Sequence, residues 1–169
     1  MTHNESILLM NALTYEEGHP RRTRHILSVY AMAQLIGTRE GCTENERSVL
    51  LAASILHDIP IKRCKQLYGD ASQQNQQKEA PAMVHSMLKE AGYDSSCHDR
   101  ILDLVLHHHC YEQASRDPLL QILVEADLLI NLKEESLPEQ NENTLRSIFR
   151  TATGQTLLTA FLQSSPAHH

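Results

Sequence analysis

Apolar residues recur along this chain at intervals of three and four, and the alternating pattern of a half-buried strand is almost absent, so the sequence predicts helices throughout. The first covers residues 6–16. Gly18 breaks it, and Pro20 suits the first turn of a second helix over 20–36, with Gly37 as its stop. Thr43 followed by Glu46 has the form of a capping box and opens a third helix to Asp58, which ends there because Pro60 disfavours helical geometry at Ile59. Residues 72–77 are polar and read as a loop. A fourth helix spans 81–91, closed by Gly92, and Ser96 with Asp99 opens a fifth that runs into His107, His108 and His109. Asp117-Pro118 starts a sixth helix to Lys133, residues 136–143 read as a loop, and two short helices over 144–151 and 155–163 complete the pattern. The expected fold class is all-α: a single-domain helical bundle of all 169 residues.

Within these helices a few polar residues fall on apolar faces. The third helix carries the apolar run Val49, Leu50, Leu51, Ala52, Ala53, Ser54, Ile55, Leu56 and ends on His57-Asp58. An unpaired buried carboxylate costs several kcal/mol or neutralises itself, and no Lys or Arg lies in the run to offset it. A bound cation resolves the conflict. His25 shares a stripe with Val29, Met32 and Ile36, and Asp127 shares one with Leu120, Leu123, Val124 and Ile130. His108 continues the stripe of Ile101, Leu104 and Val105, His107 shares a face with Leu104, and solvation accounts for His109. Each has an ordinary reading alone, but inward-facing His or Asp on several helices makes coincidence a poor account.

Composition supports this picture. Apolar residues make up 41% and aromatics 4%, with no Trp, so the core is aliphatic, as packed helices prefer. A formal net charge of −6 argues against a general nucleic-acid surface, although Arg21, Arg22 and Arg24 cluster before His25. Four cysteines without a C-x-x-C pair read as reduced thiols, and no signal peptide or membrane span is visible, so a cytoplasmic domain is expected. A homodimer is compatible with the sequence but not specified by it. His168-His169 at the chain end read equally as native residues or a tag remnant. Imidazole and carboxylate donors without thiolates suit Mn, Fe, Co, Ni or Zn better than Mg.

The order His25, His57-Asp58, Asp127 on successive helices resembles the HD-domain superfamily of metal-dependent phosphohydrolases. Leu56-His57-Asp58-Ile59-Pro60-Ile61-Lys62 is similar to its "LHDIG" phrase with a lysine shortly after, and Glu125-Ala126-Asp127 to its closing acidic motif; the likeness spans residues 22–132. The resemblance implies His25, His57, Asp58 and Asp127 as metal ligands and a metal-activated water attacking phosphorus. It further implies a small phosphorylated substrate, a nucleotide above all, with Lys62 and Arg22 neutralising phosphoryl charge and His107 or His108 serving the leaving group. Two-metal members carry a His-Pro after the dyad where this chain has Ala80-Pro81. One ion is therefore expected over two, with Glu79, His85, His107 and His108 as the residues from which a second site would be drawn. The rival readings are a di-iron oxygenase on the same fold and a nucleotide-sensing domain without turnover.

Overall fold

The computed structural model describes residues 1–133 and 142–164. Among these the elements are helical, with no strand: α1 (His3–Tyr15), α2 (Pro20–Arg39), α3 (Glu44–Leu56), α4 (Pro60–Tyr68), α5 (Gln73–Glu90), α6 (His98–His107), α7 (Tyr111–Ala114), α8 (Pro118–Lys133), α9 (Glu142–Ile148) and α10 (Ala152–Ser164). The all-α expectation holds. No described helix is long and apolar enough to cross a membrane.

The centre of the bundle is α2, packed along both α3 and α8, with α6 behind α3 and α5 bridging α4 and α6. Its core is aliphatic: Leu8, Ile36, Leu50, Ile55, Leu56, Leu88, Leu104, Leu120 and Leu123 are fully buried. At about 25 cal/mol per Å2 of apolar surface removed from water, such side chains each contribute roughly 1.5–3 kcal/mol. Capping boxes at Thr2/Glu5 and Thr43/Glu46 fix the starts of α1 and α3 by satisfying N–H groups that the first turn leaves unpaired.

Several boundaries differ from the sequence reading. Pro60 does not merely end the third helix: it occupies the first turn of α4, a helix that the pattern did not suggest, where its missing N–H costs nothing. α3 itself stops at Leu56, leaving His57 and Asp58 in the junction between α3 and α4. α5 begins at Gln73, one residue after its cap Ser72, so residues 73–77 are helix and not loop, and Pro81 lies inside it. Gln, Lys and Glu are good helix formers, and this outweighs the single backbone bond that Pro81 removes. Gly37 does not stop α2, which runs on to Arg39; it provides close packing, because a Cβ there would stand 2.8 Å from Leu50 Cδ2. α7 also falls where no element was expected, and α9 and α10 begin at Glu142 and Ala152. Of the loop expected over 136–143, only Glu142 and Asn143 are among the described residues, where they open α9; His168-His169 lie outside them.

Candidate metal centre

The junction after α3 places His57 and Asp58 opposite His25 on α2 and Asp127 on α8. His25 Nε2 lies 3.1 Å from His57 Nε2 and 3.1 Å from Asp127 Oδ1. His57 Nε2 lies 3.6 Å from Asp127 Oδ1, and Asp58 Oδ2 is 3.7 Å from both imidazole nitrogens. His25, His57 and Asp127 are buried, whereas the Asp58 side chain keeps 27% of its exposure and forms the open edge. All four residues drawn from the sequence as ligands therefore meet at one point.

Backbone carbonyls set the ring tautomers. His57 Nδ1 stands 2.8 Å from the Ser54 carbonyl and His108 Nδ1 2.6 Å from that of Val105. A carbonyl only accepts, so Nδ1 donates to it and Nε2 is the ring nitrogen turned to the centre, the orientation that metal-bound histidines adopt. Asn131 Nδ2 donates to Asp127 Oδ1 at 2.8 Å and orients that carboxylate. The sequence reading did not include Asn131, although its position four residues after Asp127 places it on the same face of α8.

A second donor group adjoins the first. Asp58, His108 and His109 offer atoms within 4.8 Å of one another, as do His25, His57 and Asp58, so Asp58 belongs to both. Its Oδ1 is 3.7 Å from His108 Nε2, and that nitrogen is buried without a hydrogen-bond partner. Such an orphan is costly unless a ligand satisfies it. The His109 ring packs 3.9 Å from that of His108. His109 is an exposed residue, yet partial desolvation beside His108, with the charge of His108, pushes it down to about 4.

The electrostatics fit a cation. Burial disfavours the His57 imidazolium, yet Asp58 and Asp127 outweigh it and push His57 up to about 9. Burial likewise opposes ionisation of Asp58 and Asp127, but the facing histidines hold both below the usual carboxylate range. Two carboxylates thus draw positive charge to the spot where the imidazole Nε2 atoms converge. Oxygen and nitrogen donors without sulfur are a set that first-row divalent ions accept.

Neither donor group includes Glu79, His85 or His107, and each has other partners. Glu79 accepts from Arg63 Nε and from Tyr68 Oη, both at 2.6 Å. His85 stacks on His98 with its Nε2 3.6 Å from Asp99. His107 Nδ1 bonds the Asp103 carbonyl at 2.8 Å and lies 2.9 Å from its carboxylate. His109 stands beside His108 within reach of Asp58 and is exposed, as its expected solvation requires. Lys62 is also placed elsewhere: its ammonium donates to the Tyr15 carbonyl and lies 4.8 Å over the Tyr15 ring.

The centre opens to a cleft of about 190 Å3 lined by His25, Asp58 and Asn131 together with Glu16, Arg21, Arg22 and Lys65. A tight pocket of about 10 Å3 touches His57, His108 and His109 and is walled by Gln73, Gln76 and Ala80.

An all-helical bundle with histidines and aspartates converging from α2, the α3–α4 junction and α8 defines a helical domain built around a buried His/Asp donor group. The HD-domain profile matches residues 22–132, from the cleft arginines to the end of α8, and the chain belongs to the HD-domain family. This is a family of metal-dependent, hydrolase-type proteins that bind divalent metals. No curated protein and no solved structure matches the chain.

Proposed function

We propose that the chain is a metal-dependent phosphohydrolase acting on a phosphomonoester or phosphodiester of a small molecule, with a nucleotide as the leading class. The observation that carries this reading is the convergence of His25, His57, Asp58 and Asp127 at the floor of a cleft whose rim bears Arg21, Arg22 and Lys65. A divalent first-row ion bound there supplies Lewis acidity toward a phosphoryl oxygen and lowers the pKa of water near phosphorus.

The chain's own residues do the rest. His57, locked by Ser54, and Asp127, locked by Asn131, are pre-oriented, so binding requires little rearrangement. Asp58 forms the boundary between the buried ligands and the cleft. Arg22 and Lys65 face the position where negative charge grows during phosphoryl transfer, and stabilise it. Lys65 takes the place that the sequence reading gave to Lys62. Support for a second ion, against the one-ion expectation, comes from the Asp58, His108 and His109 group and the orphaned His108 Nε2.

The test is phosphate release by Mn- or Co-loaded protein from nucleotides, sugar phosphates and an aryl phosphate. Release should vanish with EDTA and return with the metal. Tight binding of a phosphorylated ligand without release would replace hydrolysis with sensing. A second reading, the di-iron oxygenase, is favoured by one observation: with His109 the two groups and Asp127 together offer six donor residues. A mixed-valent iron signal in electron paramagnetic resonance, with no phosphate release, would establish it.

A further inference from the structure

One corner of the chain forms the outer wall of the cleft. α1 ends at Tyr15, Gly18 turns with φ 85°, and α2 begins at Pro20, which sets Glu16 and Arg22 on the same rim as His25 and Asp58. Glu16 stands out there. Its side chain is 1% exposed, and Arg22 Nη1 approaches its two oxygens at 3.3 and 3.4 Å. Burying a carboxylate beside a metal-dependent site is unfavourable in itself and works against an anionic ligand. Its evident effect is to hold a guanidinium that would otherwise sweep through many rotamers. Arg22 remains 24% exposed, so the held fork still presents a face to the cleft. Lys62, bonded to the Tyr15 carbonyl, pins the same corner from α4.

We propose that this corner reads the dianionic phosphate of a phosphomonoester: Arg22, flanked by Arg21 and Lys65, grips the terminal oxygens, and Glu16 is the positioning residue that aims Arg22. The inference rests on the phosphohydrolase reading and narrows it to monoesters. A planar guanidinium matches phosphate by paired hydrogen bonds, and a monoester offers three terminal oxygens with about two charges, its second pKa lying near 6. A diester offers two oxygens and one charge, with a substituent on each side.

The experiment uses calorimetry on the metal-loaded full chain at pH 8, with inorganic phosphate, methyl phosphate and dimethyl phosphate as probes. The two dianions should bind about tenfold or more tightly than dimethyl phosphate. Arg22→Gln should weaken phosphate binding by about tenfold or more, and Arg22→Lys, which keeps the charge but loses the fork, should fail to restore it. Glu16→Gln separates two accounts by sign. If Glu16 acted only through its charge, its loss would tighten phosphate binding; as a positioning residue, its loss weakens binding, with metal content by elemental analysis unchanged. Tighter binding in Glu16→Gln, full rescue by Arg22→Lys, or equal affinity for dimethyl phosphate would overturn the proposal. Hydrolysis of an aryl phosphate is scored separately: turnover alongside any of those results refutes the corner's role alone. Phosphate binding that follows the expected pattern without turnover upholds the corner and refutes the hydrolase reading.

Discussion

His25 Nε2 and His57 Nε2 stand 3.1 Å apart, the tips of two buried imidazoles reaching each other from α2 and the α3–α4 junction. The Nδ1 proton of His57 is committed to Ser54, which leaves Nε2 as the atom turned toward His25 and the carboxylates of Asp58 and Asp127. A shared cation makes the pairing favourable, and Asp58 and Asp127 supply its countercharge.

Ligand removal should therefore act on metal and stability together. His57→Ala and Asp127→Ala are expected to abolish retention of the first ion, and Asp58→Ala to abolish all metal, since Asp58 belongs to both donor groups. Each leaves buried polar groups without compensation, a route to destabilisation of about 3 kcal/mol or more. Elemental analysis and thermal melts measure both effects; full occupancy in Asp58→Ala would sink the assignment.

Metal number provides an independent check. Titration should saturate near two equivalents and fall to one in His108→Ala or His109→Ala. Changing Glu79, His85 or His107 should leave the stoichiometry alone, because each is engaged by other partners. Saturation at one equivalent in the unaltered chain would remove the second site.

The start of α8 predicts a dependence on acid. Burial opposes ionisation of Asp117, but two Arg100 hydrogen bonds at 2.7 Å and the N–H groups of Leu119 and Leu120 outweigh it and lower its pKa. A group whose folded pKa is depressed contributes stability above its unfolded value, about 3.9, and loses it as pH falls through the folded value. Asp117→Asn should cost about 1–2 kcal/mol at pH 6. Melting curves of the two proteins should converge below about pH 4; a gap that stays constant to pH 3 would contradict the cap.

The last turns of the chain hang on Glu125. This fully buried carboxylate accepts the backbone N–H of Arg150 at 2.6 Å and of Thr151 at 2.9 Å, together with the Thr151 hydroxyl, and so holds α10 to α8 two residues before Asp127. A Cβ at Gly154 would overlap Glu125 Oε2. Gly154→Ala is expected to destabilise by about 1–3 kcal/mol through this overpacking. A melting temperature equal to that of the unaltered chain would show that the contact gives way freely.

Helical content, an aliphatic core and the inward placement of His25, His57 and Asp127 beside Asp58 were legible in the sequence. They follow from local chemistry: 3.6-residue periodicity, capping residues, and ionisable groups standing where charge is costly. The placement of His109 beside His108 within reach of Asp58 was not legible, because α6 ends at His107 and the residues beyond it leave the helical wheel that spacing arguments assume. The fate of Lys62 was equally hidden. Its neighbours in sequence suggest a phosphate ligand, while its ammonium is drawn to the Tyr15 carbonyl at the end of a helix 47 residues earlier. Only the packing of both α1 and α4 on α5 brings that contact about. The same packing buries Glu16 beside Arg22 and places Lys65, not Lys62, on the cleft. Periodicity states which face of a helix is buried; which residues meet across helices depends on how those helices are assembled.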